Sequence, residues 1–222
     1  MSIKENLLNI KSTLPEHVTL VAVSKTKPVS DIMEVYHTGH KVFGENKIQD
    51  MVEKYEIMPK DIEWHMIGHV QRNKVKYMAS FVSLIHGVDS FKLLEEINRQ
   101  ALKHNRVIDC LIQIKIASED SKFGIMPQVA KDIIQSRDFS DLKNIKIVGL
   151  MGMATFTHDN RQVEKEFKLL KSTFENLKTI KTENCELQTI SMGMSGDYKL
   201  AIECGSTMIR IGSSIFGARN YS

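Results

Sequence analysis

Eight short runs of mostly apolar, β-favouring residues alternate with segments of helical periodicity along this chain. The predicted strands cover residues 18–24, 41–45, 62–68, 84–88, 107–117, 146–153, 187–193 and 208–212. Strands that alternate with helices need right-handed crossovers and form a parallel sheet, and eight such units close a barrel. The sequence therefore predicts an α/β fold, a single (β/α)8 TIM barrel. An open, doubly wound sheet is the alternative arrangement of the same units.

Amphipathic stripes between the strands predict the helices. The longest stripe has apolar residues three or four positions apart, at Val163, Phe167, Leu170, Phe174 and Leu177. A shorter stripe follows the fourth strand, at Leu94, Ile97 and Ala101. The N-terminal segment has the same spacing, broken up by charges, at Ile3, Leu7, Ile10 and Leu14. That spacing predicts an extra N-terminal helix rather than a signal peptide.

Composition limits the class of protein. Hydrophobic residues make up 42% of the chain and charged residues 26%, and no Pro- or Gly-rich linker divides it, so we expect one globular domain over residues 1–222. The 30 basic and 27 acidic residues are interspersed, which disfavours nucleic acid binding. No apolar run approaches the roughly 18 residues that span a bilayer. Three widely spaced cysteines, in no CxxC pattern, indicate a reducing compartment. We expect a soluble, cytoplasmic protein.

A β/α barrel has its active site at the carboxyl ends of the strands, and polar residues follow several of them here. Lys25 ends the first strand, before Pro28. A partly desolvated lysine at that place can condense with an aldehyde, although a lysine that simply extends to solvent at a strand end is the plainer interpretation. Asn46 follows the second strand, where it offers donors and acceptors to a ligand or caps the next helix.

The third strand contains a histidine pair that resembles a zinc motif. His65 and His69 have HxxxH spacing. On a strand, however, residues four apart lie about 13 Å from each other, and the glutamate of an HExxH motif is missing. We therefore expect no metal site.

Two Gly- and Ser-rich loops follow the last two strands. One runs from Ser191 to Gly196, and the other begins at Arg210 and contains Gly212 and Ser213. Barrels commonly bind phosphate with these two loops, although plain turns have similar composition. The first loop is a poor dinucleotide fingerprint because GxGxxG is incomplete. A phosphate site beside a lysine on the first strand suggests a phosphorylated aldehyde, of which pyridoxal 5'-phosphate (PLP) is the common one.

Five segments carry a resemblance to a known family. They are VAVSKTK (21–27), FGEN (43–46), WHMIGHVQRNK (64–74), SMGMSGD (191–197) and GSTMIRIGSSIFGAR (205–219). In order and content they resemble the signature segments of the pyridoxal phosphate homeostasis proteins, over about nine-tenths of the chain.

The resemblance implies a barrel similar to the N-terminal domain of alanine racemase, with PLP as cofactor. By the same likeness Lys25 holds PLP as a Schiff base, Arg210 faces the pyridine nitrogen, and Asn46 lies near the ring. The phosphate contacts that it implies are Ser191, Gly212 and Ser213. A fixed cation at the pyridine nitrogen disfavours its protonation and weakens the ring as an electron sink.

A few positions depart from the family's usual pattern. Lys115 stands where asparagine is usual, Ser213 replaces a common threonine, and the end of the segment 149–155 lacks the usual proline. The lysine anchor is unaffected. The departures bear on the contacts at the far side of the site.

Three functions fit these residues. The leading hypothesis is a PLP-binding protein, a monomer or weak dimer, that buffers PLP, delivers it to PLP-dependent apo-enzymes and affects amino-acid and keto-acid balance. The first alternative is a weak PLP-dependent amino-acid racemase. That reaction needs acid/base groups on both faces of the cofactor, and we expect no second domain to supply one because the eighth strand ends near Gly217, five residues from the end of the sequence. A cofactor-independent sugar-phosphate isomerase would leave Lys25 unexplained.

Overall fold

A computed structural model of the protein describes residues 2–118 and 123–217. Its parallel strands are β1 (Thr19–Val23), β2 (Val42–Glu45), β3 (Glu63–Met66), β4 (Leu84–Val88), β5 (Ile108–Gln113), β6 (Ile145–Met151), β7 (Cys185–Met194) and β8 (Met208–Ile211). All eight overlap the predicted strands. The predicted domain and the last signature segment extend to residues outside the described ranges, Arg219 among them.

The sheet closes on itself. Each strand pairs in parallel with the next, and β1 also pairs with β8, with Val21 opposite Arg210. This pairing confirms the predicted barrel and excludes the open, doubly wound sheet, in which the first and last strands would not meet in this way. The carboxyl ends of all eight strands therefore surround one mouth.

Helices occupy the connections and surround the barrel. They are α1 (Ile3–Ser12), α2 (Val29–Tyr36), α3 (Ile48–Ile57), α4 (Phe91–Lys103), α5 (Pro127–Gln135), α6 (Arg137–Ser140), α7 (Asn160–Lys178), α8 (Tyr198–Glu203) and α9 (Ser213–Phe216). The connection from β3 to β4 instead contains a 3-10 helix, Arg72–Tyr77. The five residues of the longest predicted stripe are all buried along α7, as are those of the shorter stripe along α4.

The predicted N-terminal helix is present as α1 and completes the outer ring. Ser2 and Glu5 form a capping box at its start, and Leu7 and Ile10 are buried. The helix packs against α2 and the short α9, and Asn6 Nδ2 donates to the Ile215 carbonyl at 3.1 Å. α1 thus lies against the helices that follow β1 and β8.

A small cluster of apolar side chains lies inside the barrel, and a larger apolar layer separates the strands from the helices. The interior cluster consists of Val21, Leu84, Leu111, Met151 and Met208. Alternate strand residues face the outer layer, as Trp64 and Met66 do on either side of His65. No helix of the described residues is long and apolar enough to cross a membrane.

β5 is shorter than the sequence predicts. It ends at Gln113 rather than at residue 117, because the chain then leaves the sheet to pair with a later segment. The Lys115 amide donates to the Ile125 carbonyl at 2.9 Å, and the Ile125 amide donates to the Gln113 carbonyl at 2.9 Å. The apolar residues Ile114, Ile116 and Ala117 are thus buried in a loop and do not extend the strand.

Candidate functional site

Lys25 lies in a tight turn at the carboxyl end of β1. The Lys27 amide donates to the Ser24 carbonyl at 3.1 Å, and Thr26, between them, has φ 64°. A β-branched residue rarely adopts this left-handed conformation, and such local strain persists only where the surroundings impose it. The turn gives Lys25 a half-buried position on the wall of the cavity at the barrel mouth.

A buried ion pair is bonded to Ser24, the first residue of this turn. Lys54 Nζ, on α3, donates to Glu45 Oε1 at 2.7 Å and to the Ser24 carbonyl at 2.9 Å. Ser24 Oγ donates to the same carboxylate oxygen at 2.5 Å. Burial raises the pKa of Glu45, and Lys54 and Ser24 oppose that rise. These hydrogen bonds hold Ser24, the residue that precedes Lys25, in place. Removing either partner of the buried pair would be strongly destabilising.

Asn46 is on the cavity wall rather than at a helix cap. The N-cap position of α3 belongs to Lys47, so the capping alternative for Asn46 is wrong. The loop after β3 packs closely against Asn46, since a Cβ at Gly68 would lie 2.2 Å from the Asn46 carbonyl oxygen. Glycine at residue 68 therefore permits the position of Asn46.

The loops after β7 and β8 meet at the mouth next to the Lys25 turn, since β8 pairs with β1. Ser195, Gly196, Gly212 and Ser213 line the cavity there. The Gly212 amide donates to Ser195 Oγ at 3.2 Å, which joins the two loops. Asp197 Oδ1 accepts from the Met194 amide at 2.6 Å and closes the first loop. Backbone amides and hydroxyls arranged in this way suit a phosphate group.

Arg210 places a buried cation in the cavity wall, on the strand next to β1. It reaches the cavity from β8 and is 4% exposed. Its Nη1 donates to the Ser191 carbonyl at 2.9 Å and to Ser191 Oγ at 2.6 Å, and Nη2 donates to the Gly152 carbonyl at 3.2 Å. Burial lowers the pKa of Arg210 to about 10, with Asp197 opposing, so the guanidinium stays charged at neutral pH.

Ser191 is not among the residues that line the cavity. Its hydroxyl is fully buried and accepts a hydrogen bond from Arg210, which does line the cavity. The family resemblance grouped Ser191 with Gly212 and Ser213, whereas the serine that lines the cavity beside those two residues is Ser195. Alternation along β7 explains the difference, because Ser191 points into the barrel before the strand ends.

Two histidines lie inside the barrel, and sequence reasoning assigned them no role. His65 and His86 are buried, with His65 Nδ1 at 3.1 Å from His86 Nε2. His69 lies elsewhere. Its Nδ1 is 3.3 Å from Asp89 Oδ2, and its ring is stacked on the ring of Phe123. Within the described ranges no three His, Cys, Asp or Glu side chains are grouped so that they could hold a metal ion.

The cavity of about 750 Å³ brings together most of the predicted site. Of the predicted residues, its lining includes Lys25, Asn46, Arg210, Gly212 and Ser213. It also includes several that the sequence did not single out, namely Lys27, Thr155, Phe156, Thr157, His158 and Ser195. Four of these belong to the loop between β6 and α7, where the sequence showed only that the segment 149–155 lacks the family's usual proline. Lys115 is not part of the lining.

Glu166, buried on α7, holds the loop at the far side of the cavity. Its carboxylate accepts hydrogen bonds from the Thr155 amide at 2.6 Å, Thr155 Oγ1 at 2.8 Å and the Ser118 amide at 3.1 Å. Burial raises the pKa of Glu166, but these bonds and one from Gln162 outweigh burial and lower it overall. One carboxylate thus ties the loops after β5 and β6 together.

The comparisons with known proteins agree with this geometry. The family model for the alanine racemase N-terminal domain matches residues 1–220. An alanine racemase of Clostridium difficile has the same fold, with a TM-score of 0.79 at 16% identity over 100% of this chain and 56% of that one. The fold and the site therefore define an alanine racemase-like barrel.

Closer relatives identify the family within that class. "Pyridoxal phosphate homeostasis protein" is the name of a relative in Pasteurella multocida, 39% identical over 100% of both chains. The protein of that name in Escherichia coli K12 is 36% identical over 94% of this chain and 88% of its own. PipY of Synechococcus elongatus, solved with PLP bound, matches with a TM-score of 0.86 at 32% identity, over 97% of this chain and 100% of its own. This chain belongs to the pyridoxal phosphate homeostasis protein family.

The Glu166 contacts predict a pH dependence of stability. Because the folded-state pKa is lowered, the carboxylate stabilises the fold above its unfolded pKa of about 4.3, and this contribution is lost as the pH falls through the folded value. We expect Glu166→Gln to lower the free energy of unfolding by about 1–3 kcal/mol at pH 6. The difference from wild type should shrink towards pH 3, as measured by urea unfolding.

Glu175→Gln is the matched control, since Glu175 is on the exposed face of the same helix and pairs with Lys171. It should leave the unfolding curves nearly unchanged at each pH. A Glu166→Gln difference that stays constant from pH 6 to pH 3 would contradict the assignment.

Proposed function

We propose that this protein binds PLP, holds it covalently on Lys25 and acts in intracellular PLP homeostasis. The observation that carries the proposal is the shared cavity, in which Lys25 and Arg210 face the same space as the loops after β7 and β8. The PLP-bound relative and the family's name support the choice of cofactor. We take residues 1–222 as one PLP-binding domain.

The residues of the cavity fit the chemical groups of PLP. The Ser195 and Ser213 hydroxyls and the Gly196 and Ser213 amides would hold the phosphate, and Lys27 adds positive charge near that end. Gly212 lines the same end, and its own amide donates to Ser195 Oγ. Asn46 would lie beside the ring. In this assignment Ser191 acts through Arg210 and does not contact the phosphate.

Lys25 supplies the covalent link. Its Nζ would attack the aldehyde carbon, and one molecule of water would leave as the carbon–nitrogen double bond forms. The strained turn and the Glu45–Lys54 pair keep the backbone of this residue in place, so the lysine enters the cavity without rearrangement. A fixed anchor of this kind favours reversible storage of the cofactor.

Arg210 limits what the protein does with the cofactor. PLP acts as an electron sink when its pyridine nitrogen is protonated, and a guanidinium at that nitrogen donates a hydrogen bond but takes up no proton. Arg210 is held by the Ser191 and Gly152 carbonyls and stays charged. We therefore favour buffering and delivery, with PLP-dependent apo-enzymes as recipients, over turnover. The three cysteines are free, as suits a protein of the cytoplasm. The oligomeric state that we propose is a monomer or weak dimer.

A weak amino-acid racemase is the second candidate, and one observation favours it. His158, on the loop between β6 and α7, lines the cavity together with Lys25. The sequence predicted no second domain to supply an acid/base group on the other face of the cofactor, whereas this histidine offers such a group within the barrel.

The covalent link predicts a trapping result. Wild-type protein mixed with PLP should turn yellow, and borohydride should fix the cofactor on Lys25, as read by peptide mass spectrometry. Lys25→Ala should have neither the visible band nor the trapped peptide. Lys4→Ala, on the exposed surface of α1, is the control and should behave like wild type. Trapping on another lysine in the wild type, or a colourless wild type, would refute the proposal.

Exchange of the amino-acid α-proton separates carrier from racemase. In D₂O, the PLP-loaded protein should exchange the α-proton of alanine and other amino acids no faster than about tenfold above free PLP. A working acid/base group would raise the exchange rate by about 10²–10⁴ and would therefore be detected. Proton NMR measures the rate. Rapid exchange that falls in His158→Gln would establish the racemase instead, and His104→Gln, far from the cavity on the exposed end of α4, controls for the loss of a histidine.

A further inference from the structure

A chain of hydrogen-bonded polar side chains crosses the interior of the barrel. Arg210 Nη1 donates to Ser191 Oγ at 2.6 Å, and that oxygen lies 3.0 Å from His86 Nδ1. His86 Nε2 in turn lies 3.1 Å from His65 Nδ1. The four residues come from β8, β7, β4 and β3 and are at most 5% exposed. We call them the interior chain.

The protons of the interior chain have one consistent arrangement. Arg210 only donates, so Ser191 Oγ accepts from it and has its own proton to give to His86 Nδ1. His86 then carries its proton on Nε2 and donates it to His65 Nδ1. In the reverse direction the Ser191 hydroxyl proton would need another acceptor, and the described residues provide none. Each member therefore orients the next.

Both imidazoles of the interior chain are neutral. Burial lowers the pKa of His65 to about 3, with a smaller contribution from His40. Burial also lowers the pKa of His86 well below its usual value, and His65 and Arg210 add to the effect. The interior chain consequently carries a single positive charge, on Arg210, through the neutral pH range. Neutral rings can orient a neighbour without repelling it.

Only one member of the interior chain reaches the cavity. Arg210 is part of the lining, whereas Ser191, His86 and His65 lie below it and are not. Any influence of the two histidines on a ligand must therefore pass through the guanidinium. A network that served stability alone would change the free energy of unfolding and leave the ligand's affinity unaltered.

We propose that His65 and His86 are positioning residues that act through Ser191 to hold the Arg210 guanidinium in one orientation towards the ring of the bound cofactor. This inference rests on the proposed function, since it concerns the same cavity and the same ligand. Its physical basis is preorganisation: a guanidinium already fixed by neighbours loses little freedom when the ligand binds.

Substitutions along the interior chain test the proposal. Ser191→Ala removes one hydroxyl, and His86→Phe keeps a ring but no hydrogen-bonding atom. Each should raise the dissociation constant of PLP by about tenfold, equivalent to about 1.4 kcal/mol, and reduce the circular dichroism of the bound cofactor's visible band. The double variant should stay within about threefold of either single variant, because the first substitution already interrupts the chain.

Rescue and matched controls distinguish positioning from a general effect on packing. His86→Gln, which can accept and donate at once, should recover most of the affinity that His86→Phe loses. His104→Gln should match wild type. Thermal unfolding of each variant without PLP gives the stability effect separately. Unchanged affinity and dichroism in both Ser191→Ala and His86→Phe, or fully additive losses, would overturn the inference.

A measurement on the wild type alone covers the case in which a variant does not fold. In ¹⁵N NMR of the cofactor-free protein, His65 and His86 should both be neutral, with the proton on Nε2. A charged ring, or a proton on Nδ1 of His86, would contradict the proton arrangement. If wild type binds no PLP, the proposed function fails. If it binds PLP and the variants behave like it, the inference alone fails.

Discussion

The pairing of β1 with β8 is the constraint on which the rest of the structure depends. It brings residues from the two ends of the sequence side by side, with Val21 opposite Arg210, and so places the strand that ends in Lys25 next to the strand that carries the guanidinium. Helix α1 packs against α2 and α9, the helices that follow these two strands, and Asn6 donates a hydrogen bond to α9. A sheet that stayed open here would leave the lysine and the arginine at opposite edges.

Around the pairing of β1 with β8, different interactions fix Lys25 and Arg210. Lys25 is held through its backbone, by a strained turn over a buried ion pair, and its side chain enters the cavity. Arg210 is held through its side chain, by carbonyls and by the polar residues inside the barrel. The first arrangement suits a group that forms and breaks a bond with a ligand, and the second suits a group that stays in one place.

The barrel and the residues at its strand ends could be predicted because both follow from local patterns. Strand and helix periodicities fix the element order, and the position of Lys25, Asn46 or Gly212 at a strand end indicates the mouth. The interior roles of Ser191, His65 and His86 depend on which face of a strand points inward and on neighbours distant in sequence. His158 lies in a loop without periodicity, and the early end of β5 depends on pairing with Ile125, so neither had a local signal.

The central claim is that PLP lies in this cavity with its pyridine nitrogen at Arg210. ¹⁵N NMR of the protein loaded with PLP labelled at that nitrogen tests it most directly. We expect a resonance typical of an unprotonated pyridine nitrogen that accepts a hydrogen bond. It should stay constant from about pH 6 to pH 9, where Arg210 remains charged below its pKa of about 10. A protonated nitrogen at neutral pH would contradict it.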